Sequence, residues 1–147
     1  MSRAEFHHCL SLPVRWGDMD ALGHVNNVEY FRYLESGRIG YLETVQPPGL
    51  AQDQYMVLAD IRCAFLRQLN YPATVEVLTR VERLGHRSLG FRALIAVAGS
   101  DEPAATAEGV LVWYDFARQC SVPLPEALRA AILDYEITPP AQRGPTS

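Results

Sequence analysis

Hydrophobic and polar residues alternate along the first part of the chain, from Glu5 to Arg15. A period of two is typical of a β-strand, because successive side chains point to opposite faces of a sheet. Pro13 places this strand at a sheet edge or a bulge, since proline has no backbone N–H to donate. Four later stretches are also predicted to be strands: Tyr55–Phe65, Ala73–Leu84, Ser88–Ala98 and Ala104–Asp115.

The period changes to that of a helix from Asn27 onwards, where apolar residues recur every three or four positions. These apolar residues are Phe31, Leu34, Tyr41, Leu42 and Val45. Asn26 or Asn27 is a suitable N-cap, and the Pro-Pro-Gly run from Pro47 ends the helix. Gly37 and Gly40 lie three residues apart and share a helix face, which favours close packing of that face against a sheet.

The predicted order of elements is one strand, one long helix, a run of strands and a short helix that ends near Tyr135. Runs of strands beside one helix indicate an α+β fold, in which a meandering antiparallel sheet packs on that helix. The other face of the sheet stays partly apolar, and a second copy of the chain would bury it. We therefore expect a homodimer or a larger homo-oligomer. We predict one domain over residues 1–137 and a disordered tail over residues 138–147.

Composition and charge exclude several classes of function. The length of 147 residues fits one domain, and the net charge of -4 argues against nucleic acid, which requires a basic surface. There is no apolar run long enough to span a bilayer and no secretory signal in Met1 to Leu10, so we expect a cytoplasmic protein. All 13 basic residues are arginine, which excludes Schiff-base chemistry and pyridoxal phosphate attachment at lysine.

The most unusual stretch lies between the first strand and the long helix. From Asp18 to Asn27 it contains two carboxylates, one imidazole and two carboxamides, directly before a helix N-terminus. The N–H groups of the first helical turn are unpaired and partly positive, so they bind anions and developing oxyanions. A carboxylate held beside them can attack a carbonyl or activate water while those N–H groups polarise the carbonyl oxygen. This pairing supports acyl transfer.

Other interpretations of this stretch remain open from the residues alone, because Asp and Asn are common loop and cap residues. The spacing from Asp18 to Glu29 is similar to that of an EF-hand loop, but Leu22 stands where calcium needs an oxygen ligand. Neither the histidines nor the three cysteines show a metal-ligand spacing, so we expect no metal. A serine hydrolase is not indicated, since no GxSxG occurs.

The segment WGDMDALGHVNNVEYFRYLE, from Trp16 to Glu35, resembles the active-site signature of the hot dog-fold thioesterases. It is most similar to the 4-hydroxybenzoyl-CoA thioesterase-like family, which includes the YbgC-type acyl-CoA thioesterases. The resemblance implies a hot dog fold, with an antiparallel sheet wrapped around one long central helix. It also implies acyl-CoA hydrolysis without a cofactor, at sites on the interface of a homodimer or homotetramer.

The resemblance implies catalytic roles residue by residue. Asp20, the second Asp of the Asp-x-Asp pair, matches the catalytic carboxylate, which serves as nucleophile or general base. Asn27 matches the position whose backbone N–H polarises the thioester carbonyl. The Gly-His-Val-Asn-Asn run is also similar to plant acyl-carrier-protein thioesterases, which makes His24 and Asn26 secondary catalytic candidates. Asp18 is expected to shape the turn.

The turn from Gly85 to Ser88 resembles the one that meets the coenzyme A phosphates in this family. Arg87 and Ser88 are therefore expected to contact coenzyme A, and Arg118 near the last strand is a further basic candidate. Arginine suits this task because its planar fork binds phosphate oxygens in a bidentate manner.

The chain departs from this resemblance at one point, and the departure favours an aliphatic acyl group. Asn26 and Asn27 stand where the 4-hydroxybenzoyl enzyme has aromatic and apolar residues, which disfavours a benzoyl substrate. Two alternatives to a thioesterase remain. One is a hot dog-fold dehydratase or hydratase acting on acyl thioesters, and the other is a non-catalytic acyl-CoA-binding module.

Overall fold

The computed structural model describes residues 1–142. Over this range it contains two α-helices, α1 (Asn27–Val45) and α2 (Glu126–Tyr135). Its strands are β1 (His8–Pro13), β2 (Gln54–Phe65), β3 (Thr74–Leu84), β4 (Ser88–Val97), β5 (Pro103–Asp115), β6 (Cys120–Ser121) and β7 (Ala141–Gln142). Short 3-10 turns at Arg3–Glu5 and Trp16–Asp18 flank β1.

The five long strands form a curled sheet in the order β1-β3-β4-β5-β2, and all neighbours in this order are antiparallel. Helix α1 packs across one face of the sheet, with most of its strand contacts to β1, β3 and β4. This arrangement confirms the predicted α+β hot dog fold. The two short strands lie outside the main order: β6 pairs with β5, and β7 runs parallel to β3.

The two ends of the chain differ in detail from the predicted elements. Strand β1 starts at His8 rather than Glu5, because Arg3–Glu5 forms a capped turn in which the Ser2 hydroxyl accepts from the Ala4 N–H and the Glu5 carboxylate accepts from the Ser2 N–H. At the other end, where we predict a disordered tail over 138–147, Ala141–Gln142 pairs with β3. Residues 143–147 of that tail lie outside the described range.

Two buried clusters hold α1 against the sheet, one along each half of the helix. The cluster at its first half consists of Tyr30, Tyr33 and Leu34 with sheet residues that include Val75, Val77, Ala93 and Ile95. The cluster at its second half consists of Tyr41, Leu42 and Val45 with residues that include Val81, Phe91, Trp113, Leu128 and Ile132. The site described below therefore stands on a helix whose position is determined by packing along its whole length.

Gly37 allows α1 to approach β3 closely, as its shared face with Gly40 predicts. A Cβ atom at Gly37 would lie 2.5 Å from Cγ1 of Val77, whereas one at Gly40 would have its nearest neighbour 3.5 Å away. We expect Gly37→Ala to lower the free energy of unfolding by about 1–3 kcal/mol through overpacking. Gly40→Ala, the matched control, should instead raise it by up to about 1 kcal/mol through helix propensity. Urea unfolding followed by circular dichroism measures both, and equal effects would contradict close packing at Gly37.

The face of the sheet turned away from α1 is partly covered by the chain itself. Phe6 packs there against Leu78, Leu94 and Ala96. Strand β2 pairs only with β5 among the described residues, and Val57 and Leu58 on it are among the exposed apolar side chains. The expected homo-oligomer stays a prediction, and this unpaired edge offers a second copy a place to bind.

Candidate active site

Asp18 shapes the loop between β1 and α1. Its buried carboxylate accepts hydrogen bonds from the Arg15 N–H (2.9 Å), the Arg15 Nε (3.1 Å) and the Tyr33 hydroxyl (2.7 Å). Burial by itself raises the pKa of Asp18, but these bonds outweigh it and the pKa lies below its ordinary value. The carboxylate is therefore ionised and engaged by the protein on both oxygens.

Asp20 lies at the start of a tight turn that holds one of its two carboxylate oxygens. Oδ1 accepts the Leu22 N–H at 2.9 Å, and the Asp20 carbonyl accepts the Gly23 N–H at 3.1 Å. Gly23 has φ +87°, a left-handed conformation that glycine adopts without strain. Oδ2 accepts no hydrogen bond from the residues 1–142. One oxygen thus orients the carboxylate and the other is available for chemistry.

The N-terminus of α1 follows this turn. Asn26 is the N-cap: its side chain accepts the Val28 N–H at 3.1 Å, and its carbonyl accepts the Glu29 N–H at 2.9 Å. The Asn27 N–H has no acceptor within the described part of the chain, and Asn27 is exposed. Asn27 therefore presents an unpaired helix N-terminal donor, whereas the Asn26 side chain, also a catalytic candidate from the sequence, is used for the cap.

A segment that is distant in sequence, Phe65–Leu69, closes the site from the other side. The Tyr30 hydroxyl donates to the Arg67 carbonyl at 2.9 Å and accepts the Leu69 N–H at 3.1 Å. The Leu69 carbonyl in turn accepts the Val25 N–H at 2.8 Å. These bonds attach the segment to the first turn of α1 and to the Asp20 loop.

Asn70 holds the part of the loop that carries His24. Its Nδ2 donates to the Gly23 carbonyl at 2.8 Å and lies 3.3 Å from Nδ1 of His24. A carbonyl oxygen can only accept, so Asn70 presents its amino group here, and His24 accepts through Nδ1. This geometry suits the His24 tautomer that carries its proton on Nε2. Asn70 is separated from His24 by 46 positions, so no local pattern in the sequence connects the two residues.

These elements enclose a cavity of about 300 Å³. Its lining residues are Asp20, Leu22, His24, Val25, Asn27, Tyr30, Phe65, Leu66, Arg67 and Gln68. An apolar pocket with a few converging polar groups is usual for a small-molecule site. The structure thus places Asp20, His24 and Asn27 in one cavity lining, leaves Asn26 outside it, and adds residues 65–68, for which the sequence carries no recognisable signal.

A second cavity, of about 330 Å³, lies across β2, β4 and β5 on the face of the sheet opposite α1. Its charged residues Arg62, Arg92 and Glu108 are paired with one another. It contains no carboxylate beside a helix N-terminus, so the Asp20 cavity is the better candidate for acyl transfer.

Arg87 and Ser88 lie at the opposite end of the sheet from Asp20. Strand β4 begins at Ser88 and ends near the Asp20 loop, and its 10 residues correspond to about 30 Å. The Arg87 Nη1 donates to the Ser121 carbonyl at 2.6 Å, and the Arg118 N–H, in the turn before β6, donates to Asp115 Oδ1 at 2.9 Å. One chain brings Arg87, Ser88 and Arg118 to the same end of the sheet, but not to Asp20.

Unpaired positive charge is concentrated at this end of the sheet. Most described arginines form an ion pair with a carboxylate, as Arg15 does with Asp18. Apart from the buried Arg38, the described arginines that form none are Arg83, Arg87 and Arg118. Since no carboxylate among residues 1–142 pairs with them, these guanidinium groups can meet an anion such as a phosphate.

Over residues 1–142, neither helix combines the length and apolar character needed to cross a membrane. Within the same residues, no group of three or more His, Cys, Asp or Glu side chains is placed to hold a metal ion.

Comparison with known proteins shows the family to which this chain is similar. The family model described as the thioesterase-like superfamily matches residues 14–132. The acyl-acyl carrier protein thioesterase ATL3 of Arabidopsis thaliana is 26% identical over 138 residues, covering 90% of this chain and 70% of that protein.

Solved structures are similar over nearly their whole length. A thioesterase from Thermus thermophilus, crystallised with coenzyme A and Zn, is 36% identical with a TM-score of 0.79, covering 92% of this chain and 98% of that one. The PA2801 protein of Pseudomonas aeruginosa, described as a putative thioesterase, is 35% identical with a TM-score of 0.79, covering 86% and 98%.

Proposed function

Because this chain belongs to the thioesterase-like superfamily and is a thioester hydrolase, we propose that its substrate is an acyl-CoA, with an aliphatic acyl group. The relative from Thermus thermophilus was crystallised with coenzyme A, which supports this choice of carrier. The unpaired arginines at the Arg87 end of the sheet also suit the phosphates of coenzyme A.

The observation that carries the proposal is the meeting of Asp20 and Asn27 in one cavity. Both residues line this cavity, and among residues 1–142 one Asp20 carboxylate oxygen accepts no hydrogen bond and the Asn27 N–H has no acceptor. A general base and an oxyanion donor are the two groups that thioester hydrolysis requires.

In the proposed reaction, Oδ2 of Asp20 takes a proton from water as that water attacks the thioester carbonyl carbon. The Asn27 N–H stabilises the negative charge that develops on the carbonyl oxygen. The tetrahedral intermediate then collapses, the C–S bond breaks, and the proton held by Asp20 passes to the departing thiolate. The products are a carboxylic acid and free coenzyme A. Direct attack by Asp20, with later hydrolysis of the mixed anhydride, is the alternative course.

His24 has a supporting role in this proposal. With Nδ1 facing Asn70, its protonated Nε2 is free to donate a hydrogen bond. Since His24 lines the same cavity as Asp20, that donor serves the thioester or the attacking water.

A complete site requires two copies of the chain. The Asp20 loop and the Arg87 turn lie at opposite ends of the sheet, about 30 Å apart by the length of β4. If a second copy pairs antiparallel along the free edge of β2, the sheet end with the Asp20 loop in one copy comes beside the sheet end with the Arg87 turn in the other. Each Asp20 cavity then lies next to Arg87, Ser88 and Arg118 of the partner subunit, so we propose a homodimer with two shared sites.

An acyl carrier protein is a second candidate for the acyl donor. The similarity to the acyl-acyl carrier protein thioesterase of Arabidopsis thaliana favours it. Both donors present the acyl group on a phosphopantetheine arm, so the Asp20 cavity would serve either one.

Release of free thiol, followed with a thiol-reactive dye, tests the proposed function. We expect the protein to release coenzyme A from acyl-CoA, faster with straight-chain acyl groups than with a benzoyl group. The same acyl group offered on an acyl carrier protein is the comparison that identifies the carrier. Binding of acyl-CoA without thiol release would indicate a binding module, and hydration of an enoyl thioester without release would indicate a hydratase.

A further inference from the structure

Asn70 lies behind the Asp20 cavity and is not among the residues that line it. Its side-chain nitrogen has two neighbours in the loop before α1, the Gly23 carbonyl oxygen at 2.8 Å and Nδ1 of His24 at 3.3 Å. The amide group has two N–H bonds on this nitrogen, one for each neighbour. Asn70 therefore reaches the site only through the residues that it holds.

The backbone beside Asn70 is fixed. Leu69 is almost fully buried, at 1% exposure. Its N–H donates to the Tyr30 hydroxyl at 3.1 Å, and its carbonyl accepts the Val25 N–H at 2.8 Å. Asn70 is thus attached directly to an anchored residue, so its side chain loses little freedom when it binds His24.

His24 has two ring nitrogens with different surroundings. Nδ1 faces Asn70, whereas Nε2 forms no hydrogen bond with any of the residues 1–142. The His24 side chain lines the Asp20 cavity, and its own carbonyl accepts the Asp20 N–H at 2.9 Å. One nitrogen is therefore used by the protein, and the other is left for a molecule in the cavity.

The contact with Asn70 selects one of the two neutral forms of the imidazole. A neutral imidazole carries one proton, on either nitrogen. If that proton were on Nδ1, two N–H groups would face each other at 3.3 Å, and Nε2 would offer only a lone pair. An acceptor cannot stabilise the oxyanion that forms from a thioester carbonyl. The position of this one proton decides whether His24 can assist the reaction.

We propose that Asn70 is a positioning residue for thioester hydrolysis, which acts through His24 by keeping the ring proton on Nε2. The proposal rests on the proposed function, in which His24 donates a hydrogen bond to the thioester or to the attacking water. It gives a part in the reaction to a residue that does not touch the substrate.

Nitrogen NMR of the histidine side chains tests the proposal without any activity measurement. The chain has four histidines, and the signals of His24 are those that His24→Gln removes. At about pH 8.5, well above the ordinary histidine value of about 6.5, we expect Nδ1 of His24 to be unprotonated and Nε2 to be protonated. Asn70→Asp, which has the same shape but only accepts hydrogen bonds, should place a proton on Nδ1.

Asn70→Leu, which has a similar shape and no polar group, should leave both neutral forms of His24 populated. Gln46→Leu, the same loss of an exposed amide at the other end of α1, is the matched control and should change no His24 signal. If Nδ1 of His24 is protonated in the original protein, or if its signals are identical in both Asn70 variants, the proposal is wrong.

A double-mutant cycle on kcat separates this role from simple support of the loop. Asn70→Leu should lower kcat for thiol release about 3- to 10-fold in the original chain, but less than about 2-fold in a His24→Ala chain. An equal loss in both chains would mean that Asn70 acts through the Gly23 carbonyl alone, and it would overturn the proposal. Circular dichroism checks the fold, and Asn70→Ala replaces Asn70→Leu if the latter does not fold.

The two proposals can fail separately. If His24→Ala keeps the original kcat, Asn70 has no catalytic partner to position and this proposal is wrong. The hydrolysis itself is tested by Asp20→Asn and by thiol release from the original protein. Absence of thiol release would reject the proposed function, and with it the part of Asn70 in the reaction.

Discussion

Replacement of Asp20 by asparagine is expected to lower kcat for acyl-CoA hydrolysis at least about 100-fold, the low end for a general acid–base group. The carboxamide can neither take a proton from water nor attack the thioester. It retains an oxygen that can accept the Leu22 N–H, so the turn and the fold should persist. Steady-state thiol release measures kcat, and circular dichroism checks the fold. If the variant retains more than about a tenth of kcat, Asp20 is not the catalytic carboxylate.

Asp18→Asn is the matched control for this prediction, because the same chemical change is made two residues away. Asp18 accepts three hydrogen bonds, from Arg15 and Tyr33, on its two carboxylate oxygens. Asparagine leaves one of those oxygens without an equivalent, so the main loss should be in the free energy of unfolding, by about 1.5–3 kcal/mol. Its kcat should fall less than that of Asp20→Asn. The reverse order would mean that Asp18 is the catalytic residue.

Arg87→Ala is expected to raise KM for acyl-CoA about 10- to 150-fold while kcat is largely kept. The loss of one charge-assisted phosphate contact costs about 1.5–3 kcal/mol. The contact is remote from the thioester, so it contributes equally to binding of the substrate and of the transition state. A short acyl-pantetheine analogue lacks the nucleotide and should be hydrolysed almost equally well by both proteins. Equal losses on both substrates would mean that Arg87 supports the fold, for example through its bond to the Ser121 carbonyl.

Mixing variants extends this prediction to the shared site. A dimer of one Asp20→Asn chain and one Arg87→Ala chain contains one site with both native residues and one site with neither. Random exchange should therefore restore about a quarter of the original activity per chain at low acyl-CoA concentration. Arg92→Ala, which removes an arginine already paired with Glu82 at 2.5 Å, is the control and should bind acyl-CoA normally. If mixing restores no activity, Arg87 and Asp20 do not act in one shared site.

The sequence alone determined the parts of this protein that depend on near neighbours in the chain. The helix start at Asn27 and the close-packed Gly37 each follow from residues within a few positions of one another. A cap, a turn and a helix face obey local rules, so the residue types are sufficient to predict them. The fold class follows from the order of such elements, whereas the roles of Asp20 and Asn27 are what the family resemblance implies.

Only the tertiary structure decided which distant residues meet. Asn70 reaches His24 across 46 positions, and Tyr30 reaches Leu69 across 39. Strand order places Arg87 at the far end of the sheet from Asp20, although the resemblance assigned both to one site. The same order leaves Nη1 of Arg38 buried without a hydrogen bond among residues 1–142. These relations depend on strand order and register, which are set by packing of the whole sheet on α1 and not by any local pattern.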